Sequence, residues 1–199
     1  MSEKLEKIGY AIGRNVAESL ASQHLSGIDL DAFFKGIKEG FENQATDFDF
    51  NEANQLINQF INEQKQQAYL VNKEEGQRFL TENALKEGVT QTDSGLQFEV
   101  LVESEGPKPV ATNNVTVHYH GTLINGTVFD SSVQRGQPAT FGLNQVIRGW
   151  TEGLQHMSVG SKYRFYIPEH LAYGANPHPG GPIQPFSALI FDVELLAIN

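Results

Sequence analysis

The first part of the chain repeats apolar residues at the three- and four-residue spacing of a helix face. One stripe runs from Leu5 to Leu20. A second follows Asp29, whose short acidic side chain is typical of a helix cap, and extends to Phe41. Because each segment has one apolar face and one polar face, the pattern predicts two amphipathic helices.

A third segment changes character along its length. Asp49 and Glu52 have the spacing of a capping box, which opens a helix. Apolar residues recur in its first turns, whereas the sequence beyond Glu63 is rich in Gln, Glu and Lys. We predict one long connecting helix over about residues 50–86. Since its later turns have few apolar positions, we expect them to be a solvated spacer.

Two pairs of glycines lie one helical turn apart in the first two segments, Gly9 with Gly13 and Gly36 with Gly40. They either permit a second backbone to approach closely or are tolerated helix defects that cost about 1 kcal/mol each. Three helices of this size cannot bury their own apolar stripes, and association with another copy is the usual remedy. We therefore favour close packing at these glycines.

From Ser94 the period of the pattern changes to two, which is typical of strands. Asn125-Gly126 is a strong hairpin signal, and residues 162–167 and 188–196 are further predicted strands. A short helix is predicted over about residues 146–157. All eight prolines lie at or after Pro107, so the helical part contains none. The prediction is an α+β protein, with a helical domain over residues 1–88 and an antiparallel-sheet domain over residues 89–199.

Composition narrows the function classes. Acidic side chains number 24 against 14 basic ones, for a formal charge of −10, which disfavours nucleic acid and anionic membrane surfaces as partners. The chain has no cysteine, which excludes disulfides and thiolate metal sites. No basic segment followed by an apolar stretch opens the sequence, and no apolar run approaches the ~18 residues of a membrane span. We expect a soluble cytoplasmic protein.

The sequence contains few signals of conventional catalytic chemistry. It has no nucleophile elbow, phosphate-binding loop or dinucleotide fingerprint, so no cofactor is expected. His118 and His120 share one strand face, but no third ligand has suitable spacing, and we expect no metal. The run Asp130-Ser131-Ser132 is interpreted as a turn, because no histidine base accompanies it.

The second half of the chain contains five short sequence motifs. They are VHYHG at 117–121, VFDSS at 128–132, QVIRGWTEGL at 145–154, AYGA at 172–175 and LIFDVEL at 189–195. Both the sequences of these motifs and their order along the chain closely resemble those of the FKBP family of peptidyl-prolyl isomerases, which bind tacrolimus and rapamycin. The resemblance implies an FKBP-like sheet wrapped on one short helix, and prolyl isomerase activity.

The same resemblance implies roles for particular residues. Trp150 would form the floor under a prolyl ring, while the Ile147 N–H and the Tyr173 hydroxyl would hold carbonyl groups. Asp130 would bond to Tyr119 and pair with Arg135; the alternative is a loop-closing ion pair worth under about 1 kcal/mol. The implied catalytic residues are Tyr119, Phe129, Asp130, Trp150, Tyr173 and Phe191. The implied substrate- and inhibitor-binding residues are these six together with Arg135, Phe141, Val146, Ile147 and His178.

Two further features follow from the resemblance. The segment over residues 176–186 differs in length from the family's, which leaves Ile183 and Phe186 without an assigned place. The acidic helical arm resembles a bacterial subgroup related to the macrophage infectivity potentiator, whose members are homodimers joined through N-terminal helices. The implied function is a homodimeric isomerase that also binds unfolded or partly folded proline-containing chains. The alternative is a chaperone or scaffold that binds such chains without turning them over.

Overall fold

The computed structural model describes residues 2–23, 25, 27–46 and 49–199. The chain divides into two compact units, Met1–Ala68 and Tyr69–Asn199. This division falls inside the third helix, earlier than the predicted domain boundary at residue 88, which stays a prediction. Among the described residues, no helix is both long and apolar enough to cross a bilayer.

The helical part contains the three predicted helices: α1 (Ser2–Ser22), α2 (Leu30–Phe41) and α3 (Phe50–Asn83). Asp29 caps α2, since its carboxylate accepts the Ala32 N–H at 2.8 Å. Asp49 accepts the N–H of Asn51 at 2.7 Å. The Asp49 side chain at the start of α3 therefore bonds to the N–H of Asn51, whereas the capping-box pattern predicts a bond to the N–H of Glu52.

The apolar stripes of the first unit are largely exposed in this chain. No residue of α2 is buried, and Phe34 and Phe41 are 60% and 86% exposed. Leu5 on α1 is 63% exposed. The paired glycines of α1 and α2 have open space where a Cβ would stand. A single chain thus leaves these helix faces uncovered.

The second unit is built on an antiparallel sheet of seven strands with the order β1-β2-β6-β7-β3-β4, in which β5 also pairs with β3. The one α-helix that lies between its strands, α4 (Arg148–Leu154), is shorter than predicted. The α+β fold is confirmed. The strands are β1 (Val89–Gln91), β2 (Gln97–Val102), β3 (Asn114–Leu123), β4 (Val128–Ser131), β5 (Ala139–Gly142), β6 (Lys162–Ile167) and β7 (Leu189–Ile198).

Helix α4 packs close to the sheet because two of its residues, Gly149 and Gly153, have no side chain. A Cβ on Gly149 would stand 2.5 Å from Cγ2 of Ile167, and one on Gly153 would stand 2.7 Å from the Phe165 ring. Side chains there would push the helix outward. The close approach brings Trp150 into the buried core, where it is only 4% exposed.

The later turns of α3 pack within the second unit, so the prediction that they form a solvated spacer is wrong. Gly76 and Asn83 are buried, and the Phe79 ring lies 6.0 Å from the Tyr166 ring. Asn83 donates a hydrogen bond to Oε1 of Gln97 at 2.9 Å. The pattern missed this contact because a glycine and two buried amides make much of it, and none of these residues counts as apolar in a periodicity search.

Candidate active site

A cavity of about 570 Å³ is surrounded by aromatic rings contributed by β3, β4, β5, β7 and α4. Trp150 is one of the lining residues, and three other rings stand almost perpendicular to its indole. The Tyr119 ring is 5.3 Å away at 82°, the Phe191 ring 5.2 Å away at 78°, and the Phe141 ring 5.7 Å away at 86°. Edge-to-face contacts of this kind stabilise aromatic clusters and fix the ring orientations. The result is an apolar slot of fixed shape.

The strands bring these rings together through their two-residue alternation. The odd-numbered residues of β3 point inward, which buries Tyr119. Gly121 continues this inward row, and a Cβ there would stand 2.6 Å from the Phe129 ring and 2.9 Å from the Phe191 ring. The glycine therefore creates the space in which those two rings meet, 5.3 Å apart at 82°.

A polar triad closes one side of the slot. The Tyr119 hydroxyl donates to Oδ2 of Asp130 at 2.5 Å and accepts a hydrogen bond from Arg135 at 2.8 Å. Arg135 also donates to Oδ1 of Asp130, and its guanidinium carbon lies 5.6 Å from the centre of the Tyr119 ring. Each member touches both others, so the triad holds the Tyr119 ring from its polar end.

The protonation states of this triad follow from burial and from these bonds. Burial raises the pKa of the Tyr119 hydroxyl, and the neighbouring Asp130 raises it further. Burial by itself also favours the neutral form of Asp130, but the hydrogen bonds from Tyr119 and Arg135 together outweigh it, and the pKa of Asp130 is lowered. At neutral pH the phenol is a donor and the carboxylate an acceptor.

One wall of the slot comes from irregular chain. Tyr173 lines the cavity from the turn before the flap, defined here as residues 176–187, and is 44% exposed. Burial raises the pKa of its hydroxyl, with a further contribution from Asp130, so this phenol is also a hydrogen-bond donor at neutral pH. The flap contributes His178, Gly181, Pro182 and Ile183 to the lining.

The structure brings the residues singled out by the sequence into this one region. Arg135 does not line the cavity and reaches it only through Tyr119 and Asp130. Phe186 lies elsewhere, against the Tyr69 ring of α3. The singled-out residues that line the cavity are Tyr119, Phe129, Asp130, Phe141, Val146, Ile147, Trp150, Tyr173, His178 and Phe191.

Sequence reasoning missed three lining residues, Gln145, Gly181 and Pro182, and left Ile183 unassigned. Gln145 is the first residue of the QVIRGW motif, so its place in that motif could have indicated that it lines the cavity. The flap residues carry no such signal, because no periodic pattern fixes the path of a loop that is rich in Gly and Pro.

The two strand histidines have local partners. Nδ1 of His118 lies 3.1 Å from the Ser132 hydroxyl, and Nδ1 of His120 lies 3.0 Å from the Ser131 hydroxyl. Within the part of the chain that the structure describes, no three His, Asp or Glu side chains group around a point that could hold a metal ion. The serines of the DSS run thus bond to neighbouring strand residues.

Comparison with known proteins gives the class to which this fold and slot belong. Residues 106–196 match the family model of FKBP-type peptidyl-prolyl cis-trans isomerases. Residues 5–100 match the model of the domain amino-terminal to such isomerases. The protein is an FKBP-type peptidyl-prolyl cis-trans isomerase.

The relatives identify the branch of the family. The chain is 48% identical to the isomerase FkpA of Aeromonas hydrophila over 200 residues, covering 96% of this chain and 74% of that one. It is 37% identical to outer membrane protein MIP of Legionella longbeachae, covering 98% and 85%. The crystal structure of FkpA from Escherichia coli superposes with a TM-score of 0.83 at 33% identity, covering 99% and 95%. The chain belongs to the FKBP family and is close to the two-domain bacterial proteins FkpA and Mip, as predicted.

Proposed function

We propose that the aromatic slot around Trp150 is the site where the prolyl ring binds and where the X-Pro bond turns. The observation that carries this proposal is the arrangement of three rings at nearly right angles to the indole. Such a slot accepts a compact, apolar five-membered ring and excludes water from the adjoining imide bond.

An apolar slot is suited to this reaction because of how the bond rotates. Rotation of a peptide bond breaks amide resonance, at a barrier of about 18–20 kcal/mol. In the twisted state the nitrogen lone pair no longer feeds the carbonyl, so the bond is less dipolar than in the cis or trans form. A dry cavity therefore favours the twisted state over both ground states. An acceleration of about 10⁵-fold requires about 7 kcal/mol of this differential stabilisation.

Polar groups at the edge would fix the orientation of the substrate. The Tyr173 hydroxyl and the Ile147 N–H are suited to donate to carbonyl groups on either side of proline, and His178 lies on the flap wall. The triad of Tyr119, Asp130 and Arg135 would hold one wall rigid without wetting the slot. The catalytic step then needs no nucleophile, metal or cofactor.

A protease-coupled assay on a short X-Pro peptide, run with and without rapamycin or tacrolimus, tests this site. We expect turnover that either macrolide abolishes, together with protection of Trp150 fluorescence from quenching by acrylamide. Turnover that persists at saturating macrolide would contradict the assignment of the slot.

The helical arm is proposed to join two copies of the chain through α1 and α2. The support is the exposure of large apolar residues along these helices, including Leu5, Phe34 and Phe41. Apolar surface on this scale is typical of an interaction site. Two joined isomerase units would retain unfolded or partly folded proline-containing chains by avidity, which requires no high affinity at either slot.

Sedimentation velocity of the full chain tests the dimer. The double variant Phe34→Lys/Phe41→Lys is expected to sediment as a monomer and to lose suppression of aggregation, while it retains peptide turnover. Ala32→Lys, on the opposite face of α2, is the matched control and should stay dimeric. A monomeric parent chain would contradict the proposal.

The cytoplasm is the proposed location of this isomerase. A relative carries the name outer membrane protein, so the compartment needs a direct test. Fractionation of source cells followed by immunoblotting should find the protein with cytoplasmic markers. Recovery with periplasmic or membrane markers would refute this location.

A further inference from the structure

The flap that forms one wall of the slot is attached to helix α3. Nδ2 of Asn72 donates to the Pro185 carbonyl at 3.0 Å. The Phe186 ring lies 6.0 Å from the Tyr69 ring in an edge contact, and Nζ of Lys73 lies 5.7 Å from the centre of the Phe186 ring. Three residues within two turns of α3 thus hold two consecutive flap residues.

The backbone at Phe186 shows why the flap needs such an attachment. Its φ is +61°, in the left-handed region that is unfavourable for residues with a Cβ. A residue remains there when its surroundings impose it. Here the Phe186 N–H donates to the Gly174 carbonyl at 2.8 Å, and the ring is held on α3. This one residue therefore ties the flap both to the helix and to the turn that carries Tyr173.

The attachment lies close to the slot along the chain. Pro182 and Ile183 line the cavity, and Pro185 and Phe186 follow within four residues. Tyr173, also in the lining, precedes the carbonyl that Phe186 bonds. Below the attachment, the missing side chain of Gly76 lets α3 approach Ala188, whose Cβ would lie 3.2 Å from a Cβ on Gly76. The helix thus contacts the chain along the end of the flap.

We infer that Tyr69, Asn72 and Lys73 are positioning residues that set the flap wall of the prolyl slot and thereby influence which residue before proline the isomerase prefers. The inference rests on the proposed slot, since it gives the flap a role in substrate selection. None of the three touches the substrate; they act through Pro185 and Phe186. The part of α3 that carries them was expected from its sequence to be a spacer, and it becomes a determinant of specificity.

The test compares full-length Asn72→Ala with Asn62→Ala, an exposed asparagine on the same helix. The kcat/KM is measured on a series of peptides that differ only in the residue before proline. Loss of the anchoring bond should change the ratio between a bulky and a small residue by about threefold. Hydrogen exchange at the flap amides should accelerate in Asn72→Ala and stay at the parent rate in Asn62→Ala.

Phe186→Gly is the second variant, because glycine tolerates the positive φ while the ring contact is lost. It should change the peptide ratios in the same direction as Asn72→Ala. Ratios that stay at parent values, or a parallel fall for every peptide, would overturn the inference even if flap exchange rises. If the slot were not the prolyl-binding site, Trp150→Ala would leave turnover of all peptides unchanged. This outcome distinguishes failure of the proposed function from failure of the inference about α3.

Discussion

At the scale of single residues, the slot combines rigid apolar rings with a polar triad of fixed protonation. Trp150 is 4% exposed and contacts three rings, so its removal opens the floor. Asp130 is partly exposed and stays ionised through its bonds to Tyr119 and Arg135. The two positions therefore affect different properties, shape at the floor and electrostatics at the edge.

Trp150→Ala should lower kcat/KM on X-Pro peptides by about tenfold or more, the change expected when 1–2 kcal/mol of slot contact is lost. The free energy of unfolding should also fall by about 3–5 kcal/mol because a large cavity remains. Trp150→Phe, which keeps an aromatic floor, is the control for folding. Unchanged kcat/KM in a folded Trp150→Ala variant would locate the reaction elsewhere.

Asp130→Asn should reduce stability at neutral pH and have less effect in acid. The folded-state pKa of Asp130 is lowered, so its stabilising contribution is present above the unfolded-state pKa of about 3.9 and disappears as the pH falls through the folded-state value. Because the pair is substantially exposed, the loss at neutral pH should be under about 1 kcal/mol.

Urea unfolding at neutral pH and at about pH 3 measures this difference. Asp93 is an exposed carboxylate in the same unit, so Asp93→Asn is the matched control. At neutral pH its free energy of unfolding should differ less from that of the parent than the value for Asp130→Asn does. A difference in the free energy of unfolding between Asp130→Asn and the parent that is larger at about pH 3 than at neutral pH would contradict the prediction.

At the scale of elements, a buried amide network joins α3 to the sheet. Asn83 donates to Gln97, and Gln97 in turn donates to the Leu80 carbonyl at 2.8 Å and to Oε1 of Gln91 at 2.9 Å. Asn83 and Gln97 are 0% and 1% exposed. Buried amides are costly to leave unpaired, so removal of the Asn83 donor should destabilise this network.

Asn83→Ala should lower the free energy of unfolding by about 1–3 kcal/mol, because Oε1 of Gln97 loses its donor in a buried position. The exposed residue Gln77 on the same helix offers the matched control, Gln77→Ala, which should be nearly neutral. Both are measured by urea unfolding with the full chain. Equal stability of the two variants would mean that the network contributes little.

At the scale of the whole molecule, α3 belongs to both compact units of the chain. Its first turns lie in Met1–Ala68, and its last turns lie in Tyr69–Asn199, where they pack with the sheet and hold the flap. The second compact unit thus includes helix residues that precede its first strand. A boundary drawn at residue 88, where the strands begin, would separate these residues from the sheet that they cover.

Two truncations test this organisation. A chain that begins at Tyr69 should unfold at nearly the parent denaturant midpoint of the isomerase unit, while one that begins at Val89 should be less stable by about 2 kcal/mol or more. The shorter chain exposes the Tyr166 ring and leaves the Gln97 amide without its Asn83 partner. Equal midpoints would support a boundary at residue 88 and contradict a structural role for the end of α3.

The three long helices, most of the strands and most of the slot lining could be predicted from the sequence, whereas the short strands β1 and β5 were not. Helix and strand periods depend on neighbours a few residues apart, so the stripe of α1 and the alternation around Tyr119 can be detected locally. The five sequence motifs contain most of the lining residues, because in each motif an aromatic or apolar residue lies next to the strand or turn that positions it. Trp150 and Phe191 could therefore be assigned to one slot before any contact between them was known.

The contacts of the polar end of α3 become apparent only in the folded chain. Asn72 meets Pro185, and Asn83 meets Gln97, through bonds between segments that no local pattern connects. Gly76 contributes by the side chain that it lacks, which gives no hydrophobic signal at all. Periodicity records which face of a helix is apolar, whereas these contacts depend on which distant groups fold against it.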